Sequence, residues 1–200
     1  MVKILFAAPD RDLLMTYERL LSLEGHDVTA VFDGAQTVRK LSGQRYDLVV
    51  LDHTVPGIDT RNIMKLIRSE HMPVIQLLSR KITPSVLMEA YAADSYLSFP
   101  FLPDEFMRRI MSIAERAGAD KNFTVDGVTV NESKFSSNDG THFTNEEIDI
   151  LHAAMSGGEL PITSVSAYIN ALNNKFVKLG KKTRIKYVMN EGYRLVKDNE

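Results

Sequence analysis

The first 117 residues alternate short apolar runs with amphipathic stretches. Val2–Ala7 reads as a strand. Leu13, Leu14, Tyr17, Leu20 and Leu21 recur at helical spacing over Leu13–Leu23, and Gly25 supplies the stop. Strands follow at Asp27–Phe32, Tyr46–Leu51, Val74–Leu78 and Tyr96–Phe99, and helices at Gly34–Ser42, Thr60–Ser69, Pro84–Ala93 and Pro103–Ala117. Five strand–helix repeats with nearly continuous apolar strands predict a parallel sheet covered on both faces. Right-handed crossovers make it a doubly wound α/β domain of five strands. Chemistry in such a fold gathers at the carboxyl ends of the strands, and Asp52 closes the third.

The periodicity changes after residue 117. Residues 118–122 read as a linker and 123–200 as a small α+β domain. Asp126-Gly127 marks a hairpin between alternating stretches over Phe123–Val130, and Asn138-Asp139-Gly140 marks a second turn. Thr144-Asn145-Glu146-Glu147 is a capping box opening a helix to about Met155, ended by Gly157-Gly158. Thr163 or Ser164 caps the next helix, which runs to about Lys178. Arg184–Leu195 reads as two strands around Asn190-Glu191-Gly192.

Composition adds boundaries. The chain has 200 residues, 44% hydrophobic and 25% charged, with no cysteine, so disulfides and thiolate metal sites are excluded. No apolar run approaches the roughly 20 residues of a membrane helix, and a cytoplasmic location is expected. The net charge is −2, yet from Leu160 onward eight basic residues face three acids, leaving that segment at about +5 and the rest at about −7. A basic module after an acidic one suits a regulated DNA binder. A solvated, lysine-rich helix face gives the same count.

Three segments carry a resemblance. Tyr46-Asp-Leu-Val-Val-Leu-Asp52-His-Thr-Val-Pro56-Gly57-Ile-Asp59, Pro73–Arg80 and Ala93–Phe101 resemble the phosphoacceptor strand, fourth strand and fifth strand of response-regulator receiver domains, over residues 1–117. The resemblance implies Asp52 as phosphoacceptor, an acidic pair holding Mg²⁺, a lysine against the phosphoryl oxygens, and a hydroxyl–aromatic switch. Here the acidic-pair positions are Ala8 and Pro9, with Asp10 one step on. The lysine position is Phe99, and the switch hydroxyl position is Leu78 beside Ser79. Tyr96 matches the aromatic switch. One carboxylate facing a dianion is repelled by several kcal/mol in a partly buried site. Asp52 is therefore expected to be weak or unused as an acceptor, bonding its own loop, with Leu78 and Phe99 packed over the site and no bound Mg²⁺. The resemblance to OmpR/PhoB-like members further implies a homodimer through the fourth helix, fifth strand and fifth helix. That face would carry Val86, Leu87, Ala90, Tyr91, Asp94, Phe106, Arg109 and Ile110, with Asp94 and Arg109 in cross-dimer ion pairs. Core packing explains the apolar members of this set equally well. A histidine kinase is the further partner the family implies.

The second domain resembles the winged-helix domains of the same regulators. Phe123–Val130 and Asp139–Ile148 look like the opening sheet and first helix, Val165–Phe176 like the recognition helix, and Thr183–Leu195, with Gly192-Tyr193-Arg194, like the wing. The space between Met155 and Thr163 is too short for the family's full middle helix. Val165, Ile169, Leu172 and Phe176 would form the buried face of the recognition helix. Ser166, Asn170, Asn173, Asn174 and Lys178 would form the opposite one, where Asn reads adenine bidentately. Lys175, Lys178, Lys181, Lys182, Arg184 and Lys186 would contact phosphates, and Arg194 a minor groove. The reading is a homodimeric, phosphorylation-independent transcription regulator on duplex DNA, not an enzyme. The alternative is a degenerate regulator acting as a protein-interaction adaptor without DNA binding. His26, His53, His71, His142 and His152 show no metal spacing, and no nucleophile–base–orienter pattern stands out.

Overall fold

The computed structural model describes residues 1–79, 83, 86, 90, 93–117, 121–157, 165–189 and 191–197. It divides the chain into two units, Met1–Asp120 and Lys121–Glu200. The first holds β1 (Lys3–Ala7), α1 (Arg11–Leu23), β2 (Asp27–Val31), α2 (Gly34–Gly43), β3 (Leu48–Asp52), α3 (Thr60–Ser69), β4 (Val74–Leu78), β5 (Ser95–Ser98) and α4 (Pro103–Ala117). The predicted helix over 84–93 lies mostly outside the described residues.

The five strands pair in parallel in the order β2-β1-β3-β4-β5, the doubly wound arrangement that the alternating pattern predicts. β3 and β4 are buried at every position because helices cover both faces of the sheet. Helix starts follow from local chemistry. Asp10, Asp33 and Asp59 each accept a backbone N–H of the first turn, from Leu13, Gln36 and Arg61. Under one face, Leu5, Ala7, Val49, Leu51, Ile63 and Ile67 form a continuous core. On the other, Tyr17 and Phe106 rings stand 4.5 Å apart and Phe6 and Phe106 5.8 Å apart. Each fully buried side chain of this size contributes about 1.5–3 kcal/mol. Strands β1, β2, β3 and β5 differ from the sequence pattern by one or two residues at their ends. β3 begins at Leu48 although Tyr46 is buried, and β5 ends at Ser98 rather than Phe99.

The second unit holds β6 (Asn122–Val125), β7 (Val128–Asn131), β8 (Ser136–Ser137), α5 (Asn145–Ser156), α6 (Val165–Lys178), β9 (Thr183–Val188) and β10 (Gly192–Lys197). β6, β7 and β8 form an antiparallel sheet, and β9 and β10 an antiparallel hairpin. Asp126 and Gly127 both have positive φ (48° and 76°), as a type I′ turn requires. The capping box closes at both ends: Thr144 Oγ1 accepts the Glu147 N–H and Glu147 Oε2 accepts the Thr144 N–H. Gly157, left-handed at φ 78°, ends α5. The short segment 158–164, the gap before Val165 and both cap candidates Thr163 and Ser164 lie outside the described residues.

His26, in the turn before β2, buries both ring nitrogens without a hydrogen-bond partner. Burial first, and then the N-terminal ammonium, holds its pKa below 6.5, while Glu24 opposes the shift. The unfolded chain therefore protonates first, and the first unit loses stability as pH falls below 6.5. Urea midpoints at about pH 7.5 and 5.5, both far from the carboxylate range, are expected to differ less in His26→Gln than in the parent. An equal difference in both rejects the assignment.

Candidate functional site

The strand order reverses between β1 and β3, which places a crevice at their carboxyl ends. Asp52 stands there as the last residue of β3, and its residue is 6% exposed. Its Oδ1 accepts the Thr54 N–H at 2.7 Å and the Thr54 hydroxyl at 2.6 Å. The one basic-type side chain at ion-pair distance among the described residues is His53, whose Nδ1 is 3.7 Å from Oδ1. Ala8, at the end of β1, is buried and donates its N–H to Val31 O. Pro9 is exposed. Asp10, the nearest acid in sequence, spends Oδ1 on capping α1. Among the described residues, no three His, Asp or Glu side chains group to hold a metal ion.

The switch-like residues lie along the adjoining strands β4 and β5 and just beyond them, where the Phe99 N–H donates to Leu78 O at 2.8 Å. Leu78 is fully buried and Tyr96 half-buried. The Phe99 ring packs 4.5 Å from Phe101, which in turn lies 5.5 Å from Tyr17. Ser79 meets the His53 ring, Oγ to Nε2 at 3.2 Å. That contact of Asp52, His53 and Ser79 was not legible in the sequence, because it needs the β3–β4 pairing to bring residues 53 and 79 together.

The predicted dimer face needs correction. Ala90, Phe106 and Ile110 are buried within their own unit, so they are core and present no surface. Asp94 is 5% exposed, and its Oδ2 accepts the Val74 N–H at 2.7 Å, fixing the start of β4. Arg109 is half-buried, donates to Ser95 Oγ at 2.9 Å and lies 3.6 Å from Glu105. Val86 is half-buried. Leu87 and Tyr91 lie outside the described residues.

In the second unit, α6 buries Tyr168, Ile169, Leu172 and Phe176. Tyr168 replaces Val165, which is half-buried, in the predicted face. Ser166, Asn170, Asn174 and Lys178 are exposed at four-residue spacing and form one ridge. Asn173 turns away from it. Its amide donates to Ile185 O at 3.1 Å and accepts the Ile185 N–H at 2.8 Å, clamping α6 to β9. Lys175 also turns inward, pairing with the buried Glu147 and lying 5.3 Å from the Phe143 ring. Arg184 donates to Lys181 O and Thr183 O, both at 2.7 Å. Arg194 bonds Tyr193 O and lies 3.8 Å from Glu191, beside Gly157. Lys181 is half-buried near Gly127, while Lys182 and Lys186 are exposed. Asn173, Lys175 and Arg194 therefore serve the frame of the unit rather than its outward face.

The family model of the response regulator receiver domain matches residues 4–111. Response regulator ArlR of Staphylococcus aureus (strain Mu50 / ATCC 700699) is 26% identical over 216 residues, covering 96% of this chain and 99% of ArlR. ArlR of Staphylococcus haemolyticus is 24% identical with the same coverage. The alignments exceed this chain in length, so those relatives carry residues it lacks. Among solved structures, the receiver domain of the Francisella response regulator 1452 aligns at TM-score 0.53 and 28% identity over 58% of this chain and 98% of its own. A point mutant of RitR aligns at TM-score 0.66 and 21% identity over 99% of this chain and 100% of its own, a likeness of fold.

Removing Lys175 leaves Glu147 buried without its cation. Lys175→Met is expected to destabilise the second unit by about 2–3 kcal/mol, below the range for a fully buried pair because Lys175 is partly exposed. Urea unfolding of the full chain measures it, and an unchanged midpoint sinks the assignment.

Proposed function

The chain belongs to the response regulator receiver family, and from that premise we propose that it is a transcription regulator that binds duplex DNA as a homodimer without phosphorylation of Asp52. The observation supporting DNA binding is the exposed α6 ridge Ser166–Asn170–Asn174–Lys178, with Lys182 and Lys186 exposed nearby in sequence. The two asparagines supply amides for base edges, and the lysines supply phosphate contacts. A two-fold dimer presents two such ridges to two half-sites. Val86 and Arg109 are the described members of the predicted dimer face with surface to contribute. Action on DNA carries a cytoplasmic location with it. Among the described residues no helix is long and apolar enough to cross a membrane.

The acceptor's surroundings support phosphorylation independence. A divalent ion held by carboxylates is what lets an aspartate face a phosphoryl dianion. Ala8 offers no side-chain oxygen, and Asp10 is engaged as a helix cap. The donor set does not fit Mg²⁺. A histidine kinase, the family's partner, would then contact the receiver unit without leaving a phosphoryl group.

A specific observation favours the second reading, a protein-interaction adaptor without DNA binding. Lys175 and Arg194 are spent on internal contacts, so the basic segment has fewer outward cations than its composition suggests. Salt decides between the two. With Lys178, Lys182 and Lys186 on phosphates, log K is expected to fall with log salt at a slope of about −3. Lys186→Ala should reduce that slope by about 1, and Asn170→Ala should cost about 1–3 kcal/mol of preference for the preferred sequence. Absence of salt-dependent binding in gel-shift or anisotropy titrations rejects DNA binding. Incubation with acetyl phosphate and Mg²⁺ should leave the intact mass unchanged. A phosphoryl adduct that Asp52→Asn abolishes refutes phosphorylation independence.

A further inference from the structure

The residue that follows β3 is tied to the residue that follows β4. The His53 backbone N–H donates to Leu77 O at 3.0 Å, and ring Nδ1 lies 3.1 Å from the same oxygen. Nε2 lies 3.2 Å from Ser79 Oγ. A carbonyl only accepts, so Nδ1 carries the hydrogen of the ring. Nε2 is then the acceptor, and the Ser79 hydroxyl donates to it. The Ser79 N–H, 3.4 Å from Nδ1, faces a nitrogen that already holds a hydrogen and makes a contact rather than a bond. Asp52 Oδ1, 3.7 Å from that same Nδ1, adds electrostatic attraction for the N–H edge. The His53 side chain is 11% exposed, so the arrangement is largely screened from water.

We propose that His53 is an internal latch that fixes the exit of the chain from β4 through the Ser79 hydroxyl, with no ligand required. The neutral imidazole offers a donor and an acceptor on opposite edges of one rigid ring, which suits a carbonyl on one side and a hydroxyl on the other. The latch bridges the carboxyl ends of the acceptor strand and its neighbour. Any rearrangement of this edge must first break the Ser79–Nε2 bond. The inference deepens the reading of a receiver that works without a phosphoryl group, and its test does not depend on that reading.

The test is long-range ¹H–¹⁵N spectroscopy of the full chain with ¹⁵N-labelled histidine at neutral pH, the His53 signals assigned by their loss in His53→Gln. The expected result is the Nδ1–H tautomer, the minor form of free imidazole. In Ser79→Ala the Nε2 resonance should move toward the value of an unbonded acceptor. Ser79→Thr should restore the bonded position. An Nε2–H tautomer, or an Nε2 resonance indifferent to Ser79→Ala, overturns the latch. A phosphoryl adduct on Asp52 would overturn the functional reading and leave the tautomer result standing.

Discussion

The parallel pairing of β3 with β4 governs the carboxyl edge of the receiver unit. It sets Asp52 opposite Leu77 and so places the Leu77 carbonyl where both the backbone and the ring of His53 reach it. One oxygen thereby aligns two strand ends and orients a side chain. Slippage by a single residue would send Asp52 to the other face of a strand that is buried throughout. The apolar register, not the polar contacts, therefore pays for the geometry of the edge. The polar contacts then use the positions that hydrophobic burial has made rigid.

The charge of the second unit is distributed by the same logic. A count of lysines and arginines treats every cation as available to a partner. In the folded unit Lys175 neutralises a buried carboxylate, Arg184 holds the backbone before β9, and Arg194 lies along the end of α5. A cation satisfied internally releases no counterion from nucleic acid and adds nothing to salt dependence. The exposed set includes Lys178 on the α6 ridge, with Lys182 and Lys186 in the loop and strand beyond it.

Much of the architecture was legible in the sequence because local and global preferences agree. The bounds of α3, β4 and α4 coincide with the apolar periodicity, and the Asp126-Gly127 hairpin and the Thr144 capping box formed as their chemistry dictates. Side-chain direction was less legible. Asn173 and Asn174 are adjacent and chemically identical, yet a helix turns each residue by about 100°, so one clamps β9 while the other faces out. Asp94 looked like a surface acid because its use, the Val74 amide, lies 20 residues away. Ala90, Phe106 and Ile110 were ambiguous between core and interface, since both reward the same apolar surface. The meeting of His53 with Ser79 is non-local, 26 residues apart in the chain, and no periodicity records it.

Glu147 caps α5 by accepting the Thr144 N–H, and the same Oε2 meets Lys175 of α6. A single buried oxygen thus joins the start of one helix to the side of the next. The aim of the outward ridge on α6 depends in part on the first turn of a helix that carries none of the ridge. Altered recognition can accordingly arise from substitutions at Thr144 or Glu147, which a search confined to the outward face would never sample.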